Sequence, residues 1–427
     1  MAFFKSLIND QYEKMKLVHQ ILSEQIRGEN MQIVRMAESD TIKGRGRKGQ
    51  LKSDSCAAKM AGAACGLAVD IGTTTVVMGL YDLDSGERLA GLQEKNSQTL
   101  LGADVMMRLM HCQRGSQHTL EQRIREQIQN MAEQPGDGLC AVEQIKTMSG
   151  VGNTSMWHIF LGQDTSGLAG SPFRPAYRGI YRCKGSDIAL QEMKDTDVIV
   201  PAGIDAHVGA DAVSMICALQ LPETKETILA VDIGTNAEIA LSCKGEISVC
   251  SAPAGPAFEG AQISQGMRGE PGAIAGMHIA RQSGNILLEV IPDDRRNVYP
   301  VRGICGSGLI DSIASLRQSG ILQPDGYLLC EPEEADRLGI PGYLRERITE
   351  KGFLVYLDPG GQQVCLTQKD IRQFQLAKAA VQAGIRMLLE QKRLALQQVD
   401  RIYIAGVFGG HISKKSAVLT GLFPDIA

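Results

Sequence analysis

Aromatic residues are scarce in this chain, at 4% of 427 residues with Trp157 the single tryptophan, which argues against a base-stacking surface for single-stranded nucleic acid. An excess of one charge is missing too. Lys and Arg number 44 against 48 Asp and Glu, a formal charge of -4, so neither nucleic acid nor an anionic membrane is an expected partner. No long apolar run is present: the stretch over residues 57–80 is broken by Lys59, Asp70 and three threonines. The N-terminus has no apolar core of a signal peptide, and the expectation is a cytoplasmic protein. The eleven cysteines contain no Cys-x-x-Cys. Their closest pairs, Cys56 with Cys65 and Cys243 with Cys250, fit neither the common zinc spacings nor the ferredoxin patterns. Reduced thiols, mostly in the core, are expected.

What is present suits a soluble globular protein: 44% of the residues are apolar and 22% charged, and the length predicts two or three domains. Residues 1–65 read as an N-terminal segment, with one amphipathic helix over 3–27 and a basic, glycine-containing linker over 43–52. From Gly66 onward strands and helices alternate with Gly-rich joints, a mixed α/β pattern. Residues 66–225 are read as one lobe and 226–427 as a second, which stops soon after Gly410 and reads as cut short.

The division into lobes comes from an identical repeat. Ala68-Val69-Asp70-Ile71-Gly72-Thr73 recurs as Ala230-Val231-Asp232-Ile233-Gly234-Thr235. Each copy runs into a β-like stretch, 76–81 or 237–241, and then a turn at Ser85-Gly86 or Lys244-Gly245. Two duplicated lobes are expected, each offering a Gly/Thr turn to a shared cleft. Such a turn aims backbone N–H groups outward where glycine permits close approach, an anion nest. Thr73, Thr74 and Thr75 in the first copy, and Thr235 with Asn236 in the second, add donors suited to phosphate oxygens. Asp70 and Asp232 end apolar strands, where a carboxylate is costly unless hydrogen-bonded or holding a cation. Magnesium, which takes few carboxylates and several waters, fits best.

Further Gly-rich joints follow. Gly152-Asn153-Thr154 precedes a helix-like run over 156–161, with Asn153 or Thr154 as its cap. Gly255 to Gly260 and Gly303 to Gly308, the latter containing Gly306 and Ser307, open onto turns or helices whose N-termini attract anions. A buried strand over 400–405 delivers Gly406-Val407-Phe408-Gly409-Gly410, where a flat base or ribose has room against bare backbone. Before it, Thr367 and Asp370 form a capping-box variant, and Ile371, Phe374, Val381, Ile385 and Leu388 make a core stripe. Lys378 on the same helix reads as solvated.

In order, the motifs at Asp70 to Thr75, Asp232 to Asn236 and Gly406 to Gly410 resemble the two phosphate motifs and the adenosine motif of the acetate and sugar kinase, heat-shock chaperone and actin superfamily. That resemblance implies two actin-like, ribonuclease H-like α/β lobes around a nucleotide cleft, binding ATP with Mg2+. Asn96-Ser97-Gln98, Gly102-Ala103-Asp104-Val105, Pro172-Phe173-Arg174-Pro175, Val208-Gly209-Ala210-Asp211 and the joints at Gly255 and Gly303 look, more narrowly, like the nucleotide-binding domain of reductive activators of corrinoid proteins. The implied function is ATP-driven reductive reactivation of a corrinoid cofactor in a partner protein of a methyltransferase system. Asp70, Gly72, Thr73, Thr74, Asp232, Gly234 and Thr235 would cradle the Mg-phosphates, and Gly409 and Gly410 would border the adenosine. Asp211 and Glu259 are the candidates for orienting the attacking water, and a helix cap is the alternative for either. Residues 1–65 lack the four-cysteine pattern of the family's iron-sulfur domain, so no iron-sulfur cluster and a separate electron donor are expected. A homodimer is an expectation of the same resemblance. The competing readings are a small-molecule kinase of the same fold and a non-hydrolysing nucleotide-dependent scaffold. A related class, the activators of hydroxyacyl-CoA dehydratases, holds a cluster by cysteines, and Cys305 is the one cysteine considered for that role.

Overall fold

The computed structural model describes residues 64–134, 140–280, 285–292 and 301–426, with only the backbone of Val407 and Phe408. The expected N-terminal helix and linker lie outside the described residues. The chain divides into two compact units, one of residues 64–225 with Ser242–Cys250, the other of residues 226–241 and 251–426.

The first unit is built on a six-stranded sheet of β1 (Cys65–Ile71), β2 (Thr75–Asp82), β3 (Arg88–Lys95), β4 (Ile145–Val151), β5 (Tyr181–Lys184) and β6 (Asp197–Val200), in the order β3-β2-β1-β4-β6-β5. Antiparallel β2 and parallel β4 flank β1. A strand covered on both faces reads as a continuous apolar run, and β1 is buried at every position except Asp70. The β2–β3 hairpin turns where Asp82 Oδ1 accepts from Ser85 N at 2.7 Å and Gly86 takes φ 73°. Helix α1 (Val105–His111) precedes α2 (Gln117–Glu133), which sets Leu120, Ile124, Ile128 and Met131 on one helical face into the core. Helix α3 (Thr154–Leu161) is buried all round, and α4 (Ala210–Ala218) closes the unit.

The strands β7 (Ile228–Ile233), β8 (Ala237–Cys243), β9 (Glu246–Ala252) and β16 (Arg401–Ala405), most of whose residues lie in the second unit, form a sheet in the order β16-β7-β8-β9, with β16 parallel to β7. Lys244 and Gly245, both at positive φ (50° and 77°), make the two-residue turn that matches the twist of a hairpin. The order repeats that of β4-β1-β2-β3. Both copies of the hexapeptide therefore end a strand with a hairpin partner on one side and a parallel partner on the other. Two three-stranded sheets complete the unit: β10 (Ala273–Ile279) between β11 (Ile286–Val290) and β12 (Gly303–Ile304), and β14 (Gly352–Leu357) between β13 (Ile348–Thr349) and β15 (Gln363–Leu366).

Helix α5 (Gly306–Gln318) starts directly after β12. The long α6 (Gln368–Gln391) opens on the expected capping box, with Thr367 N donating to Asp370 Oδ2 at 2.8 Å and Asp370 N to Thr367 Oγ1 at 3.3 Å. Its anticipated stripe is buried throughout. After β16 the Gly-rich segment forms one helical turn, α7 (Gly406–Gly409), followed by α8 (Lys414–Leu419). No helix among the described residues is long and apolar enough to cross a membrane.

Candidate functional site

The first turn is held from its carbonyl side. Asn96 Nδ2 donates to the Gly72 carbonyl at 2.8 Å, Arg108 Nη2 donates to the Thr73 carbonyl, and the Asn96 N–H donates to the Thr74 carbonyl at 2.9 Å. In a planar trans peptide the N–H points opposite to the C=O. Tying back the carbonyls of Gly72 and Thr73 therefore directs the N–H groups of Thr73 and Thr74 away from Asn96 and Arg108. Glycine is required at position 72, because a Cβ there would lie 2.6 Å from the Thr75 carbonyl oxygen. The Thr73 hydroxyl, nearly buried, accepts from Asn153 Nδ2 at 3.1 Å. Asn153 also caps α3, its Oδ1 accepting from Met156 N at 3.1 Å. It thus fills the capping role expected of it and also ties α3 to the first turn. Asp70 is exposed, and Thr74 and Thr75 are half-buried.

Asp211 belongs to this unit. It lies in the first turn of α4, where its N–H donates to the Gly152 carbonyl at 3.3 Å and its Oδ1 accepts from Ala212 N at 2.7 Å. Gly209 makes that approach possible, since a Cβ there would be 2.6 Å from the Gly152 oxygen and 2.7 Å from Thr154 N. Burial pushes the Asp211 carboxyl up to about 6, against the pull of its backbone hydrogen bonds. A carboxyl so shifted changes protonation near neutral pH, as a general base does.

The second turn has different neighbours. Thr235 Oγ1 donates to Glu259 Oε1 at 2.7 Å, and the Thr235 carbonyl accepts from Gly255 N at 2.8 Å. Glu259 Oε2 is buried and has no hydrogen-bond partner in the protein, an arrangement that is unfavourable unless a ligand or ion completes it. Glu259 ends a 3₁₀ turn over Pro256–Glu259 that is fixed against α6: Phe258 packs edge to face on Phe374 at 6.1 Å, and Ser264 N donates to Asp370 Oδ1 at 2.7 Å. Gly255 (φ 78°) has open space where a side chain would be. Asp232, half-buried, stands opposite Ala405 in the β7–β16 ladder. Gly406 follows at φ 84°, and a Cβ there would overlap Asp232 Oδ1. The second Gly/Thr turn and the start of the Gly-rich segment after β16 are therefore in contact. Gly409 is packed onto Ile404, and Gly410 N closes the turn on the Gly406 carbonyl at 3.3 Å.

Other residues are placed as follows. Gly306 and Ser307 are the first residues of α5, after Cys305 as a cap without a side-chain bond. The Ser307 hydroxyl donates to the Ala275 carbonyl at 2.9 Å and lies 3.3 Å from Cys305 Sγ, so this side chain braces β10. Lys378 is half-buried and not simply solvated; its Nζ donates to the Thr420 carbonyl at 2.7 Å, beyond the end of α8. Two residues of the first turn's frame, Asn96 and Arg108, received no role from the sequence. The signal for Arg108 was a cation falling on the same helical face as Val105, Leu109 and Cys112.

Comparisons with known proteins place this architecture in the actin-like ASKHA class. Residues 226–427 match the family described as the C-terminal domain of RACo, the ASKHA domain, and residues 65–224 match the RACo middle region. Over these residues the chain belongs to the RACo family. It is 33% identical over 378 residues to a corrinoid activation enzyme, RamQ, of Eubacterium limosum, covering 84% of this chain and 60% of that protein. A [Co(II) methylated amine-specific corrinoid protein] reductase of Methanosarcina barkeri is 26% identical, covering 85% of this chain and 66% of the relative. The solved structure of a reductive activator for corrinoid, iron-sulfur protein superposes with a TM-score of 0.74 at 33% identity, over 86% of this chain and 57% of that one. The chain thus spans about three fifths of the length of the relatives it matches.

Proposed function

We propose that the chain binds Mg-ATP and uses its hydrolysis to drive reductive reactivation of a corrinoid protein of a methyltransferase system, with the electron supplied by a separate donor. One observation carries the reading: a chain 33% identical to a corrinoid activation enzyme over 84% of its length carries two Asp-x-Gly-Thr turns on equivalent strands of two like sheets.

The residues present fit the ligand. In the first unit, the turn's tied-back carbonyls leave the Thr73 and Thr74 N–H groups as the donors assigned to phosphate oxygens. In the second unit, the buried, unpartnered Glu259 oxygen next to Thr235 awaits a proton donor or ion. Asp70 and Asp232, each on its own turn, are assigned to magnesium through water. Magnesium takes few carboxylates and keeps several waters. Magnesium, when bound, would neutralise phosphate charge. Asp211, ionised above about pH 6, would orient and deprotonate the attacking water; Glu259 would hold Thr235 in place and accept from a second water. Gly406, Gly409 and Gly410 would leave room for the adenosine, with Gly255, Gly306 and Ser307 framing it.

The test is anaerobic. The chain, Mg-ATP, a low-potential reductant and a methyltransferase-system corrinoid protein are mixed while phosphate release and the cobalt spectrum are followed. ATP-dependent conversion of the cobalt(II) spectrum to cobalt(I), abolished in Asp232→Ala, is expected. No heat with Mg-ATP in calorimetry, or conversion that proceeds equally without ATP, overturns the reading.

A further inference from the structure

Arg108 is the largest fully buried side chain of the described residues, and its guanidinium has an unusual set of partners. Nε donates to the Gly102 carbonyl at 3.0 Å, Nη1 to Gln98 Oε1 at 3.2 Å and to Met156 Sδ at 2.9 Å, and Nη2 to the Thr73 carbonyl. All four acceptors are neutral. The charge nearest in effect, Asp104, caps α1 through Met107 N at 2.8 Å and is exposed. Buried arginines are ordinarily paired with a carboxylate. Burial draws the Arg108 guanidinium down to about 10, which still leaves it charged at neutral pH.

We propose that Arg108 is the positioning residue of the first turn, holding back the Thr73 carbonyl so that the Thr74 N–H faces a bound phosphate, and reserving its positive charge for that anion. The proposal rests on the nucleotide reading above. It explains why the frame is made of amides, carbonyls and a thioether: a protein carboxylate beside the guanidinium would neutralise it and repel the phosphates. Arg108 acts through the Thr73 peptide and does not touch the ligand.

Three variants separate this role from a merely structural one, Arg108→Lys among them as the conservative rescue. Gln98→Glu places a carboxylate against the guanidinium without removing it, and Arg108→Met removes the charge while keeping much of the volume. Binding of Mg-ATP and of AMP is measured by calorimetry, with Trp157 emission following thermal unfolding. Gln98→Glu is expected to weaken ATP binding about tenfold while AMP changes by less than about threefold, and because it also takes away the Gln98 Nε2 donor to the Leu120 carbonyl, the ATP-to-AMP ratio rather than the unfolding midpoint is the readout. Arg108→Met is expected to lose ATP binding at least as strongly, and Arg108→Lys to recover part of it. Undiminished ATP affinity in Gln98→Glu, or equal losses for ATP and AMP, overturns the proposal even if Arg108→Met does not fold. Wild-type protein that binds no ATP overturns the nucleotide reading itself, and this proposal with it.

Discussion

The two Asp-x-Gly-Thr turns begin from six identical residues and end in opposite surroundings. Asn96, Arg108 and Asn153 hold the first, all reaching it through N–H donors, one of them a buried cation. Glu259 and Gly255 hold the second, and its Asp232 carboxylate fills the space left by Gly406. The two copies share their strand order, whereas elements outside the repeat set the surroundings of each turn. Donors therefore frame the first turn, whereas a second carboxylate, Glu259, stands beside Thr235 at the second.

Glycine substitutions break the comparison most sharply. Gly406→Ala puts a Cβ into Asp232 Oδ1 from a left-handed backbone, and both effects together are expected to cost about 3 kcal/mol, read as a lower unfolding midpoint and lost Mg-ATP binding. The equivalent glycines of the two turns should then part company. Gly72→Ala meets the Thr75 carbonyl at 2.6 Å, whereas Gly234→Ala meets Asn236 O at an ordinary 3.5 Å. Denaturant titrations should place the first about 1–3 kcal/mol below wild type and the second within about 1 kcal/mol of it. Equal effects at the two positions would mean that the turns are more alike than their neighbours indicate.

Much of this was legible in the sequence for a physical reason: it depended on local pattern. The repeated hexapeptide, the Lys244-Gly245 turn, the Thr367/Asp370 cap and the α6 stripe are periodicities and short-range hydrogen bonds, and each appears in the structure. The frame of the first turn was not legible. Asn96 lies 24 residues from the carbonyl its side chain binds, and Arg108 lies 35 from its own. Lys378 shows the same limit, since a lysine on a helix reads as solvated until a carbonyl 42 residues away is seen to accept from it. Glu259 was found as a carboxylate near a turn, but only packing against α6 brings it to Thr235.

Asp211 gives a pH-dependent contrast between stability and turnover. Its carboxyl is raised in the folded state, so the native protein binds the proton more tightly than the unfolded chain does. The stabilising effect of that proton is fully present below about pH 4 and lost as pH rises through about 6. Asp211→Asn should therefore be more stable than wild type at pH 8, by an amount on the order of 2 kcal/mol, and indistinguishable from it near pH 4. Hydrolysis should move the other way. Wild-type kcat is expected to fall about tenfold per pH unit below 6, and the asparagine variant to be slow and flat across the range. A wild-type profile without an inflection near 6 would remove Asp211 from the role of base.

The smallest contrast between the two turns is expected at the threonine they share. Thr235→Val deletes the hydroxyl that donates to Glu259 Oε1 and leaves a partly buried carboxylate with neither oxygen satisfied by that residue, a loss of about 1.5–3 kcal/mol for a charged acceptor. Thr73→Val removes only a neutral acceptor from the Asn153 amide, a loss of about 0.5–1.5 kcal/mol. The difference between the two, on the order of 1 kcal/mol, measures by chemical denaturation how far the repeats have diverged. It should shrink when Glu259→Gln is introduced alongside Thr235→Val, because the glutamine removes the charge that made the second threonine matter. If it persists undiminished, the Thr235 contact owes its strength to something other than the carboxylate.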